Sequence, residues 1–302
     1  MELLKAIESI RNPFLDTLFG IITRFGEQTI LIIVFCVLFW CINKRMAYVM
    51  GVVFFMSSLV VQGMKIIFRV PRPWVTGYPY FRPVNEALAE ATGYAFPSGH
   101  TQNAAACLGS LGATLKPIAA KIVLFTIPVL VAFSRMYLGV HYLSDVLVSL
   151  VITFVLIFIA VKVITEEPVS MKRELVIAGF IVLCSIIVII IAAVLYHRNI
   201  TQPSQLRDAT RTAGSAIAFA IGMYVERNYI RFSIKSKNIG WQFIKLAIGL
   251  GVALGIQEGA RVLGSGLFAD AFRYFLIVTW IVLVYPIIIK RFFEVRESDT
   301  AS

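Results

Sequence analysis

Residues 178–195 read AGFIVLCSIIVIIIAAVL, eighteen in a row without a charge. At 1.5 Å per residue a helix of that length covers about 27 Å, close to the hydrocarbon thickness of a bilayer. Lipid offers no water to backbone N–H and C=O groups, so such a run must close its own hydrogen bonds as a helix. Working outward, TILIIVFCVLFWCI (29–42) and DVLVSLVITFVLIFIAV (145–161) have the same character. The 302-residue chain is 59% hydrophobic and 15% charged, against about half and a quarter in a soluble domain. The expected fold is therefore all-α, a polytopic transmembrane helical bundle. A large soluble core is the disfavoured alternative.

Nine windows are long and apolar enough to be candidate spans: 28–42, 46–67, 101–115, 120–137, 145–165, 174–196, 210–227, 241–258 and 273–290. The first, third and seventh are the short ones. Before them, FLDTLFGIITRF (14–25) has the pattern of an amphipathic helix lying at the interface. The start, MELLKAIESIRNP, is too charged for the apolar part of a cleavable signal, so the first spans are expected to act as the targeting signal. Cys36, Cys41, Cys107 and Cys184 lie inside apolar blocks and read as small buried hydrophobes, with no metal or disulfide spacing.

The formal net charge is +11. No basic run is dense enough for nucleic acid, and membrane topology accounts for the excess better. If the spans alternate, nine lysines fall on one side and two on the other, Lys5 and Lys65. The arginines divide six and eleven the opposite way, which leaves fifteen Lys and Arg against thirteen. The lysine-rich side is read as cytoplasmic. The N-terminus is then outside and the tail KRFFEVRESDTAS inside. The loop 68–100 carries Pro71, Pro73, Pro79, Pro83 and Pro97. Those five prolines forbid a long helix there. Loops of that length tend to carry function, and its aromatics are candidates to line a lipid entrance.

Three short pieces hold residues that apolar sequence does not need. In SRMYLGVHYLSD (134–145), Asp145 follows His141 by four, so both can face one site. A carboxylate bonded to one imidazole nitrogen fixes the tautomer and leaves the other nitrogen free to attack. Arg135 adds a permanent charge whose fork suits phosphate oxygens, although an ion pair with Asp145 is the bland alternative. In FPSGHTQNAA, Ser98 is a good N-cap and His100 falls in the first turn of a helix whose N–H groups favour an anion. In KIIFRVPRP (65–73), Lys65 and Arg72 are charges at the edge of hydrocarbon. Such charges either snorkel to headgroups or find a partner. All three pieces fall on one face of the membrane. Three cations about one point would suit phosphoryl transfer, whose transition state spreads negative charge over the equatorial oxygens.

These pieces match the pattern KxxxxxxRP, PSGH and SRxxxxxHxxxD, with Lys65 through Arg72 and Pro73, then Pro97 to His100, then Ser134, Arg135, His141 and Asp145. The sequence resembles the type 2 phosphatidic acid phosphatase superfamily, the lipid phosphate phosphatases, over about residues 14–165. The resemblance implies a six-helix-type phosphatase core and metal-independent hydrolysis of a phosphomonoester or diphosphate, with no cofactor. It implies that His141 attacks phosphorus to form a phosphohistidine and that Asp145 orients it. His100 then protonates the leaving oxygen and later activates water. Lys65, Arg72, Ser98, Gly99 and Arg135 hold the phosphate. The family also includes soluble acid phosphatases and vanadium haloperoxidases, but the spans favour the membrane branch. The substrate is then a phosphorylated membrane lipid: an isoprenoid pyrophosphate such as undecaprenyl pyrophosphate, a phosphatidic acid-type lipid such as phosphatidic acid or phosphatidylglycerophosphate, lipid A phosphate, or a sphingoid-base phosphate. The site would face the outside of a cell membrane. Hydrolysis should persist in strong chelator and show a bell-shaped pH profile, because His141 must be neutral and His100 protonated.

The domain boundary expected is a phosphatase core with its interfacial helix over 1–168 and a C-terminal transmembrane extension over 169–302. The extension is reminiscent of bacterial relatives of sphingoid-base-phosphate phosphatases, but it holds no catalytic motif of its own. Gly214, Ala218 and Gly222, and Ala247, Gly251, Gly255 and Gly259, recur every four residues. Small residues on one face let helices approach closely, within the chain or in a homodimer. Arg207, Asp208, Arg211, Glu258 and Arg261 cluster on the outer side, as ion pairs between helix ends or as a headgroup-recognition surface. Two other functions stay open. One is phosphotransfer to an alcohol on the same site. The other is a transporter or scaffold, which has no need of the histidine, aspartate and arginine set.

Overall fold

The computed structural model describes residues 1–76, 81–84, 91–259 and 266–294. Among these there are helices and no strands. In chain order they are α1 (Glu2–Ser9), α2 (Pro13–Arg24), α3 (Gln28–Ile42), α4 (Lys44–Phe68) and the single turn α5 (Pro73–Thr76). Then follow α6 (99–114), α7 (Ile118–Tyr137), α8 (Leu143–Val163), α9 (Met171–His197), α10 (Pro203–Val225), α11 (Ile239–Gly259) and α12 (Leu267–Phe292). Local chemistry sets the starts. The side chains of Asn12, Asn43 and Ser170 accept hydrogen bonds from the first-turn N–H groups of α2, α4 and α9.

Every one of the nine windows is helical. Six rods are long and apolar enough to cross a bilayer: α4 with α5, α7, α8, α9, α11 and α12. A seventh appears if α2 and α3, bent by 44°, are one span. By length and composition alone α6 falls short for its few residues and α10 for its polar opening PSQLRDATRT, although α10 runs from Asp208 beside Lys65 to Glu226 beside Lys44. The amphipathic segment at 14–25 is α2, with Phe14 and Ile21 exposed. The short α1 before it was not foreseen.

The central rod is α4. Its most apolar window is 56% buried, and no other span exceeds 33%, so α4 is the one that neighbours surround. It packs on α6 and α8 along one flank and on α9 and α10 along another. At Gly51 a Cβ would lie 2.4 Å from the ring of Phe219, so only glycine lets α4 and α10 approach this closely. The small face of α10 is also used within the chain, since Cβ atoms at Gly214 and Gly222 would press on Ala271 and Val282 of α12. The other small face is not: nothing lies within 4 Å of a Cβ at Gly251, Gly255 or Gly259, and Ala247 is exposed.

In the proline-rich loop the only helix among the described residues is α5. Its residues 77–80 and 85–90 lie outside the described residues, with Pro79 among them, as do Arg261 and the tail 295–302. Phe81, one of the aromatics expected at a lipid entrance, is instead core. It is 1% exposed and packs against Gly139. Hydrophobic burial outweighs display there, because the loop must cover the end of α7.

Candidate active site

The site is assembled at the junction of α7 and α8. Gly139 adopts φ +79°, a left-handed conformation that costs a residue with a Cβ, and it turns the chain between the two helices. The N–H of Val140 donates to the Arg135 carbonyl (3.1 Å), which closes the end of α7. His141 then precedes the first turn of α8, and Asp145 sits in that turn. One oxygen of Asp145 accepts from the Tyr142 N–H (2.8 Å) and meets His141 Nδ1 at 3.2 Å. The carboxylate thus caps the helix and orients the imidazole at once. Both side chains are buried, His141 at 2% and Asp145 at 0% exposure.

Arg72 approaches from the loop after α4. Its Nη1 lies 2.9 Å from His141 Nε2 and donates to the Val140 carbonyl at 2.9 Å. Its Nε and Nη2 donate to the carbonyls of Gly93 (3.0 Å) and Thr92 (2.7 Å). A guanidinium only donates, so Nε2 of His141 must carry the lone pair. Nδ1 then carries the proton and gives it to Asp145. The sequence spacing anticipates this tautomer, and the arginine contact fixes it independently. Burial, then the charges of Arg72, Arg135 and Lys65, hold the His141 pKa well below the ordinary imidazole value, so the ring is neutral.

The other pieces converge on the same place. Lys65 Nζ turns inward to the Tyr94 carbonyl (3.1 Å) instead of snorkelling to headgroups. Arg135 is 1% exposed and its Nη1 donates to the Thr23 hydroxyl at 2.8 Å. Asp145 is taken by His141 and Tyr142. The Ser98 N–H donates to the Asp145 carbonyl (3.1 Å), and the Ser149 hydroxyl donates to the Ser98 carbonyl (3.0 Å), so the PSGH turn is tied to α8. Ser98 Oγ accepts from the Thr101 hydroxyl (3.0 Å), which leaves its own proton to give to an anion. A Cβ on Gly99 would meet nothing within 4 Å, so open space lies beside that turn. His100 is the next residue of α6. All eight expected site residues, Lys65, Arg72, Ser98, Gly99, His100, Arg135, His141 and Asp145, belong to this one cluster.

Four supporting residues were not anticipated. Thr23 on α2 holds Arg135. Gly26 packs against the His100 backbone so closely that a Cβ would lie 2.6 Å from its carbonyl oxygen. Asn103 reinforces this contact by donating to the Gly26 carbonyl (3.0 Å). Ser149 follows Asp145 by one helical turn and was legible in principle; Thr23 and Gly26 carry no local signal. Ser134, part of the sequence motif, donates its hydroxyl to Val131 within α7. Its place is structural. Among the described residues no three histidine, cysteine, aspartate or glutamate side chains converge where a metal ion would sit.

The sequence pattern of the PAP2 superfamily matches residues 45–168. A second pattern, the PAP2 superfamily phosphatase transmembrane extension, matches residues 210–297. Two curated relatives come from Bacillus subtilis (strain 168). Phosphatidylglycerophosphatase B is 29% identical over 51% of this chain and 78% of its own length. Undecaprenyl-diphosphatase BcrC is 28% identical over 52% of this chain and 80% of its own. The crystal structure of Aquifex aeolicus LpxE aligns with a TM-score of 0.46 at 25% identity, over 53% of this chain and 93% of that one. With the matched pattern running through every residue that surrounds His141, the chain belongs to the PAP2 superfamily, as a multi-pass membrane phosphatase that carries the superfamily's transmembrane extension.

Proposed function

We propose that the protein hydrolyses a lipid phosphate or diphosphate through a phosphohistidine on His141, at the outer face of a cell membrane. The observation that carries this reading is the paired contact of His141: Nδ1 toward Asp145 at 3.2 Å, and a lone-pair Nε2 facing the phosphate-seeking group Arg72. In the first step Nε2 forms a bond to phosphorus as the bond from phosphorus to the leaving oxygen breaks. His100 gives that oxygen its proton. Water then attacks phosphorus, the P–N bond breaks, and His100 takes the water's proton. Inorganic phosphate leaves, and His141 is neutral again. Arg72, Lys65, Arg135, the Ser98 hydroxyl and the Gly99 N–H stabilise the charge on the equatorial oxygens. Arg72 has to exchange its contact with Nε2 for one with a phosphate oxygen, which couples substrate entry to release of the nucleophile. The lysine distribution supports the outer orientation. Residues 1–168 form the phosphatase core in this reading, and 169–302 the extension.

The test is phosphate release in detergent with chelator present, from a polyprenyl pyrophosphate, phosphatidic acid, phosphatidylglycerophosphate and a sphingoid-base phosphate. Wild type is compared with His141→Ala. Release by wild type alone, with labelled phosphate trapped on histidine after rapid acid-free quench, supports the mechanism. Transfer to an added alcohol in place of water would favour the phosphotransferase. No release from any lipid would favour a transporter or scaffold.

A further inference from the structure

Lys65 and Gly99 have a second neighbourhood. Beside them lies a cavity of about 200 Å³, with Gln62 and Gln102 on the core side and Asp208 and Arg211 on the α10 side. A second, apolar slot of about 80 Å³ adjoins it and shares Phe54, Phe55, Ser215 and Tyr274 with it. The slot continues between α3 and α12, past Phe35 and Val278. A polar chamber that touches the phosphate-binding residues at one end and opens to an apolar slot at the other has the polarity sequence of an amphiphile. The charges refine this. Arg211 is turned to Asp270 at 2.7 Å and lies farther from Asp208, at 3.7 Å. The Asp208 carboxylate therefore faces the chamber with acceptor capacity to spare. It would accept a hydrogen bond from a hydroxyl and repel a second phosphate. The clustered outer charges are thus partly the ion pairs expected of helix ends, gathered on the buried Asp270 by Arg207, Arg211 and Arg273.

We propose that the transmembrane extension builds the leaving-group half of the substrate site: a hydroxyl-bearing polar segment of a lipid phosphomonoester occupies the chamber, and the first part of its hydrocarbon chain occupies the slot between core and extension. This rests on the phosphatase reading of the His141 site. It gives the extension, which has no catalytic residue, a role in choosing the substrate. Filling the slot should remove the chain's contribution and spare the chemistry.

The experiment measures kcat/KM in detergent for oleoyl lysophosphatidic acid and for glycerol 3-phosphate. The proteins are wild type, Ile32→Trp on the α3 wall of the slot and Val278→Trp on its α12 wall. Each variant should lower kcat/KM for the lipid at least about tenfold, or about 1.4 kcal/mol, and leave glycerol 3-phosphate within about twofold. Unchanged lipid hydrolysis in both variants, or equal losses on both substrates, would overturn the inference. Wild type that hydrolyses neither substrate would instead sink the phosphatase reading beneath it. Asp208→Asn should narrow the preference for lysophosphatidic acid over oleyl phosphate, which lacks the hydroxyl. An unchanged preference would overturn the assignment of the chamber.

Discussion

Two clusters of buried charge, the Glu226 and Glu174 pairs at one end of the bundle and the groups around His141 at the other, are treated in opposite ways. At the end away from His141, carboxylates meet cations directly. Glu226 is fully buried and takes Lys44 at 2.5 Å, with the Tyr48 hydroxyl beside it. Glu174 accepts from both Nε and Nη2 of Arg227, at 2.9 and 3.3 Å. At the catalytic end Lys65 and Arg72 are held by the carbonyls of Thr92, Gly93, Tyr94 and Val140, and Arg135 by the Thr23 hydroxyl. A carbonyl fixes a cation's position and leaves its charge in place, whereas a carboxylate cancels it. The Glu226 and Glu174 pairs therefore cancel the charge they bury and are costly to break, whereas the cluster around His141 keeps positive charge ready for an anion.

Mutations can break this contrast. The largest effect is expected from His141→Ala, which removes the proposed nucleophile: lipid phosphate hydrolysis should fall by at least about 10⁴-fold with thermal stability little changed. An assay of phosphate release beside a melting curve decides it. Next comes Glu226→Ala at the far end, where Lys44, the buried Tyr48 hydroxyl and the Phe232 N–H would all lose their acceptor. Stability should drop by about 3–5 kcal/mol while kcat per folded molecule holds. A fall in kcat with no loss of stability would show that the two ends are not separate in function. Arg72→Lys keeps the charge and loses the fork, so kcat/KM should fall about 10²-fold. Thr23→Val removes one hydrogen bond to a buried guanidinium and should cost about tenfold in kcat/KM.

The smallest expected effect is on pH. The His141 pKa is lowered, so the ring stays neutral as pH falls through the ordinary imidazole value of 6.5. The acid limb of kcat/KM should thus lie below pH 6.5. Burial and the charges of Arg135, Lys65 and Arg72 push His100 down as well, to about 3, so it holds its proton only once the substrate's phosphate offsets those charges, and the basic limb belongs to kcat. An acid limb at 6.5 or above would mean that burial and the cations do not depress His141 as described.

The sequence was informative wherever the cause is local. Uncharged runs require helices in lipid, and the four-residue step from His141 to Asp145 places both at one helix start whatever surrounds them. Prolines excluded a long helix from 68–100, and the cap at Ser98 followed from a short polar run. The grouping of the motifs could be read because they follow α4, open α6 and join α7 to α8, which puts all three at one end of a bundle of alternating helices. What misled was local too. Phe81 looked like an entrance residue because its burial depends on α7.

The sequence by itself determined the helical class, the membrane setting and the identity of the groups proposed for catalysis, since these depend on composition and on spacings of a few residues. The tertiary structure alone decided which oxygen each cation meets. It also decided that α2 reaches across to support Arg135 through Thr23, and that α10 and α12 close a chamber beside Lys65. Those outcomes join residues from 20 to more than a hundred positions apart, and the free energy that selects them comes from packing and burial between helices, which no short stretch of sequence contains.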